Sequence, residues 1–323
     1  MLRASMRVVT ALLAAVLLAA GNGGCGGDGA EPSAPVGATL VLDFIPNAAH
    51  SGIYAAQREG FYRDAGLKLT IRQPGESTDA PKLLAAGRTD FAILDIHDLG
   101  IARERGLDVV GAMPIVQRPL AAVIVDARSG VTRPRQLQGH QVGVTGLPSD
   151  EAVVDSEVRA DGGDPARVKR VTIGFNAVSS LAAGKVAAAT GFWNAEGVTL
   201  EQRGVPIHVF KVNRYGAPPY PELVLVASRE TIRNDPDLVG TMVDATRRGY
   251  EFAVARPGRA LADLLASAPG LERADQAAQM RALLPDLRPA PFDQSVLRAW
   301  ARWDLEHGLL ERPLDVDAAF DEP

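Results

Sequence analysis

The sequence has 323 residues, a formal net charge of -5, and is 46% hydrophobic and 23% charged. That length is on the order of two domains, and the composition is that of an ordinary globular chain. The acidic balance and the lack of a basic patch argue against a general nucleic-acid binder, which needs cationic surface to displace phosphate counterions.

Arg3 and Arg7 precede an apolar run at 8–20 that is short for a membrane span and suits the centre of a secretory signal. Residues 1–24 therefore read as an export signal. Cys25, the single cysteine, stands in Gly23-Gly24-Cys25-Gly26. This context resembles the lipoprotein signal, in which small residues precede a cysteine that is lipidated, although Asn22 stands where such signals carry an apolar residue. Ordinary cleavage near Ala19-Ala20-Gly21 is the alternative. One cysteine permits no intramolecular disulfide. Residues 25–37 are dominated by Gly, Pro, Ser and Ala and read as a flexible tether, so the body is expected to begin near Ala38.

The body opens with a strand at 40–44, a Pro-Asn turn, a helix starting near Asn47 and a strand at 67–71. A helix at 79–87, a strand at 91–95, a helix at 99–105 and strands at 107–113 and 121–126 follow. Strands alternating with helices and joined by short Gly-containing turns predict a largely parallel sheet. A second series starts at 137–145, with a helix through Ala160, a strand at 168–173, a helix at 177–183 and strands at 186–191 and 207–212. One more strand at 222–228 leads into helices at 235–254, 257–266, 274–284 and 293–310. Those helices need a sheet to cover, and the first is the one lacking partners. The expectation is an α/β protein of two lobes, 38–126 with 227–323 and 127–226, joined by crossings near 126–132 and 220–228.

Pro46, Asn47, His50, Gly52, Tyr54, Gly60, Tyr62, Gly66 and Leu67 form an opening block that resembles the periplasmic binding proteins of the pyrimidine-precursor, NMT1/THI5-like family. The resemblance continues through 82–95, Val116-Gln117-Arg118-Pro119-Leu120, Gly174-Phe175-Asn176, Ala182-Ala183-Gly184-Lys185-Val186, Gly191-Phe192-Trp193-Asn194-Ala195-Glu196, Tyr215-Gly216 and 220–226. Each segment is weak alone, and their shared order carries the assignment. It implies the type II periplasmic-binding-protein fold, in which a two-stranded hinge joins the lobes around a ligand cleft.

Trp193, Asn194 and Glu196 follow a strand of the second lobe, and an indole, an amide and a carboxylate together suit a flat aminopyrimidine. Trp193 in the core and Glu196 capping a turn is the other reading. Asn47 is the expected N-cap of the first helix, and His50 either bonds the ligand or is simply satisfied at that helix start. Phe44 stands where the family usually has Trp, which keeps stacking and loses the indole donor. Asp95 either enters the cleft or caps the next helix. Phe175 and Tyr215 are either walls or core, and Gln117 sits near the hinge. Trp300 and Trp303, at helical spacing, read as packing residues.

No phosphate-binding glycine loop, nucleophile elbow or metal-spaced Cys/His cluster is present in the sequence. The expected function is a monomeric, exported solute-binding protein, anchored through Cys25, that delivers a thiamine-precursor pyrimidine or similar heteroaromatic to an ABC permease and its ATPase. No cofactor is expected. Riboflavin, or a sulfonate or nitrate as in neighbouring families, is the alternative solute; Ser51 and Ser149 are the hydroxyls available to an anion, with no arginine in the motif segments. The enzymatic alternative is a THI5-type pyrimidine synthase, which in that family uses pyridoxal phosphate and a cysteine-rich iron-binding segment. The one cysteine here lies in the export signal.

Overall fold

The structure is a computed structural model that describes residues 34–74 and 80–322. The export signal, most of the tether and Cys25 lie outside the described residues. The chain begins β1 (Val36–Val41), α1 (Ser51–Arg58), α2 (Phe61–Asp64), β2 (Leu67–Arg72), α3 (Ala80–Ala85), β3 (Phe91–Asp95), α4 (Ile96–Glu104) and β4 (Val109–Val116). It continues with β5 (Ala121–Asp126), β6 (Gln141–Val144), α5 (Pro148–Ala160), β7 (Lys169–Thr172), α6 (Ala177–Ala182), β8 (Ala188–Phe192), α7 (Val198–Gln202) and β9 (Ile207–Lys211). After β10 (Leu223–Ser228) come α8 (Arg229–Asn234), α9 (Pro236–Ala255), α10 (Pro257–Ser267), α11 (Arg273–Leu283), α12 (Gln294–Glu306) and α13 (Val316–Ala319).

Among the described residues the strands form two sheets of the same design, β2-β1-β3-β10-β4 and β7-β6-β8-β5-β9. In each, three strands run parallel, β1 with β2 and β3, and β6 with β7 and β8. In each, a fourth strand arriving from the other lobe inserts antiparallel: β10 between β3 and β4, and β5 between β8 and β9. The apolar runs of β4 and β10 (VVGAMPIV and LVLVAS) are buried throughout, as strands covered by helices on both faces must be. Of the C-terminal helices, α8, α9 and α13 pack against β10 and β4 of the first sheet, and α11 reaches α7 of lobe two, where Gln279 donates to Thr199 at 3.1 Å.

Three expected boundaries move. Val36 and Gly37, expected in the tether, pair with Leu67 and Lys68 in the β1–β2 ladder, because backbone hydrogen bonds there do not depend on side-chain composition. Residues 121–126, expected in lobe one, belong to the second sheet: Ala122 to Asp126 pair with Lys211 to Ile207. Residues 223–226, expected in lobe two, pair with β3 and β4 in the first sheet. The first crossing is therefore 117–120 rather than 126–132, and the second is 212–222 rather than 220–228.

The helix carrying the opening block is seated by close backbone contact. A Cβ on Gly249 of α9 would run into the carbonyl oxygen of Gly52 in α1, and Tyr250 Oη donates to the Ala49 carbonyl at 2.7 Å. Gly249→Ala is expected to lower stability by roughly 1–3 kcal/mol despite alanine's better helix propensity, because the two backbones must separate. Urea unfolding with an unchanged midpoint would contradict this close approach.

Candidate functional site

A cavity of about 270 Å³ lies between the lobes. It opens where β1 and β3 of lobe one and β6, β7 and β8 of lobe two end, the position at which open α/β sheets place ligands. Phe44, just after β1, and Phe175, just after β7, meet edge to face across the lobes, with centroids 4.9 Å apart and planes at 77°. Phe192, Leu83, Leu94 and Leu147 extend the apolar wall.

The polar wall is acidic. Asp43, Asp95 and Asp98 from lobe one and Asp150 and Glu196 from lobe two line the cavity with the hydroxyls of Thr145, Ser149 and Thr190, and no Lys, Arg or His lines it among the described residues. Four of the five carboxyls are held by local hydrogen bonds. Asp43 Oδ1 accepts from His50 Nε2 at 2.8 Å, while His50 Nδ1 accepts the Asn47 N–H at 3.2 Å and Asn47 caps Ala49 at 2.8 Å. Asp95 caps α4 by accepting the His97 N–H at 2.7 Å. Asp150 accepts from the backbone N–H and the hydroxyl of Thr145. Glu196 accepts the Phe192 N–H at 2.9 Å across a π-helical turn, Trp193–Gly197, and packs over Gly191, where a Cβ would sit 3.3 Å from its carboxyl.

Burial dominates the electrostatics, because removing a carboxylate from water favours its neutral form. It pushes Asp98 up to about 8, with the nearby Asp95 adding to the effect and His97 opposing it. Asp95 is raised well above its ordinary value by burial and then by Glu222 behind it. Asp150 and Glu196 are raised for the same first reason. Asp95, Asp98, Asp150 and Glu196 are thus held toward their neutral forms until a donor or a cation meets them.

Of the residues singled out in the sequence, Phe44, Asp95, Phe175 and Glu196 line this cavity. Asn47 and His50 do not: they stand behind it, buried, and aim Asp43. Gln117 lies in the first crossing, its N–H donating to the Asp286 carbonyl at 2.9 Å. Trp193 does not reach the cavity either. Its indole donates to the Pro119 carbonyl at 3.1 Å, and Lys211 Nζ sits 3.4 Å from the centroid of its ring. Side chains alternate along β8, so with Phe192 on the cavity wall Trp193 turns toward the crossing, and the wide π turn brings Glu196 back. Asn194 is buried away from the cavity lining, and Tyr215 packs edge-on against Phe210 at 6.0 Å. Ser149 lines the cavity, whereas Ser51 is buried against Met280. Asp43, Asp98 and Asp150 went unmarked in the sequence because acids beside strand ends and in first helical turns have an ordinary use there.

The family model for "NMT1/THI5 like" proteins matches residues 47–260. The chain belongs to the NMT1/THI5-like family. Among NMT1/THI5-like relatives, the formylaminopyrimidine-binding protein of Halalkalibacterium halodurans is 29% identical over 326 residues, covering 98% of both chains. The 4-amino-5-hydroxymethyl-2-methylpyrimidine phosphate synthase THI5 of Saccharomyces cerevisiae is 24% identical over 245 residues, 72% of each. The alkanesulfonate-binding protein SsuA of Xanthomonas axonopodis pv. citri, solved bound to MOPS, superposes with a TM-score of 0.74 at 15% identity, over 90% of this chain and 100% of that one. At that identity the likeness shows the fold, a two-lobed type II periplasmic-binding-protein architecture.

Proposed function

We propose that this protein is the solute receptor of an ABC importer and that its solute is an amino-bearing heteroaromatic, a thiamine-precursor pyrimidine of the formylated aminomethylpyrimidine kind. The observation that carries this reading is the interlobe cavity with five carboxyl groups, an aromatic pair across its mouth and no cationic side chain among the described residues. Exocyclic amines and a protonatable ring nitrogen are donors, and carboxylates are acceptors only, so the two match. Similarity over 98% of both chains to a formylaminopyrimidine-binding protein supports the same choice. In this reading the protein works outside the cytoplasm, anchored through Cys25, and leaves energy coupling to the permease's ATPase. Among the described residues no helix is long and apolar enough to cross a membrane.

An anionic solute fits poorly, since a sulfonate placed here would meet no cationic side chain among the described residues and would oppose ionisation of the carboxyls on both lobes. Pyridoxal phosphate, which the synthase relatives imply, does not fit these residues for a related reason. No lysine among the cavity's described residues can bind its aldehyde, no cation meets its phosphate, and Asp150 and Glu151 already fill the first turn of α5.

Calorimetry with formylated aminomethylpyrimidine, thiamine, riboflavin, pyridoxal phosphate and an alkanesulfonate tests the reading. Heat is expected with the pyrimidine and none with the sulfonate or the phosphate ester. Silence from every heteroaromatic, or capture of the sulfonate, would overturn it.

A further inference from the structure

Glu222 stands just before β10, at the end of the second crossing, and its side chain is fully buried. Its Oε2 accepts the backbone N–H of Leu120 and, at 3.3 Å, that of Ala121, so one carboxylate fastens the first crossing to the second. Its own backbone is fixed in lobe one, where its carbonyl accepts the Ile96 N–H at 3.0 Å and its N–H donates to Val116 at 2.9 Å. The next residue, Leu223, pairs with Asp95, which sets the cavity carboxyl beside Glu222. On the other side, the Leu120 carbonyl accepts the Trp193 N–H at 3.0 Å, which ties the same crossing residue to lobe two. Asp95 and His97 also face Ala121 and Asp150 across a void of about 30 Å³.

We propose that Glu222 is the positioning residue of this cavity: a single buried carboxyl links Asp95 to the backbone of the crossing, so that a donor seated on Asp95 is felt where the lobes join. The inference rests on the solute reading above and adds how occupancy reaches the hinge.

The groups around the pair decide where its charge lies. From α4 come His97 and Asp98, from α12 Asp304, from the second crossing Tyr220, and from across the cleft Asp150, while Asp43 of the same lobe acts on Asp98. His97 and Asp304 bond each other at 2.8 Å, so the imidazolium that favours charge on Asp95 and Glu222 is shared with a third carboxylate. Two further buried carboxylates side by side are costly, so the Asp95–Glu222 pair keeps one proton. Glu222 takes two backbone donors and Asp95 one, which leaves the proton on Asp95 while the cavity is empty. A ligand amine that needs Asp95 as an acceptor displaces that proton to Glu222 Oε1, which has no other partner among the described residues. Protonated Glu222 holds the Leu120 and Ala121 N–H groups less tightly, and the crossing is released to close.

The test reads backbone amides of full-length protein labelled with nitrogen-15. Without ligand, the Leu120 and Ala121 amide shifts are expected to titrate together, at a midpoint above the ordinary carboxylate range because burial disfavours the charged forms. Asp95→Asn should move that midpoint by about one unit or more, as expected of a coupled pair. Glu222→Gln should abolish the titration. Adding formylated aminomethylpyrimidine should shift the two amides in the natural protein and not in Asp95→Asn. Amides that ignore pH, or that titrate unchanged in Asp95→Asn, would overturn the proposal even if Glu222→Gln fails to fold. Amides that titrate as described in a protein that binds no pyrimidine would leave the linkage standing and remove only the assigned solute.

Discussion

Replacing Asp98 by Asn is expected to weaken capture of an aminopyrimidine and to remove much of its pH dependence. Asp98 faces the cavity from the first turn of α4, with Asp95, Asp150 and Asp43 all acting on it, and burial pushes it up to about 8. In the natural protein, affinity should therefore rise from neutral pH through about 8, as this carboxyl ionises and becomes a full acceptor. Losing one side of a buried, charge-assisted contact costs about 2–5 kcal/mol, and Asn should show that loss most clearly above pH 8, where the natural protein carries the charge. The stability sign is opposite. A carboxyl whose folded value lies above its unfolded one favours folding at low pH and loses that contribution as pH rises through about 8, so the empty Asn variant should melt higher than the natural protein at pH 9. Calorimetric titrations across pH in both proteins decide it, and superimposable affinity profiles would remove Asp98 from the binding site.

The geometry explains why four of the ten residues marked in the sequence line this cavity and the other six do not. The strand-end positions of Phe44 and Asp95 and the motif positions of Phe175 and Glu196 were legible because parallel strands all deliver their C-terminal ends to one edge. Trp193 was misplaced although its chemistry suits a heteroaromatic, because residue type does not tell which face of a strand end a side chain takes. That depends on the phase of β8 and on a π turn that no propensity announces. The convergence of Asp98 and Asp150 was illegible for another reason. Each is an unremarkable first-turn acid in its own lobe, and they form one acidic wall only once the two lobes face each other.

The lobe boundary shows the same limit at the scale of the fold. The run AAVIVD of β5 would be equally buried in either sheet, and only long-range pairing with β8 and β9 places it in the second. The consequence is functional. With β5 in lobe two, the first crossing shrinks to 117–120, and this short link between the lobes is gripped by Glu222 and by the indole of Trp193. Trp193, read from the sequence as either a ligand contact or a core residue, packs at this junction between the lobes.

His97→Ala is expected to give the largest loss of stability of any single change considered, roughly 3–5 kcal/mol, the cost of stripping a buried ion pair of one partner. His97 is fully buried, and its Nδ1 donates to both oxygens of Asp304, at 2.8 and 2.9 Å. Tyr220, Trp300 and Trp303 enclose the ring. Burial alone would keep this imidazole neutral, but Asp304, then Asp95 and Glu222, overcome that and raise it to about 10. It is the one cation supporting three buried acids, so its loss reaches from α12 to the cavity wall. The sign with pH follows from the direction of the shift. The folded value lies above the ordinary 6.5, so His97 contributes its full stabilisation below that pH and loses it as pH climbs through about 10. Near neutral pH, the variant should melt lower by on the order of 10 °C. The difference in unfolding free energy between natural protein and variant, followed by urea titration from pH 6 to pH 10, should shrink as pH rises. A constant difference would mean that His97 is neutral in the fold and packs against Asp304 as an ordinary hydrogen-bond donor.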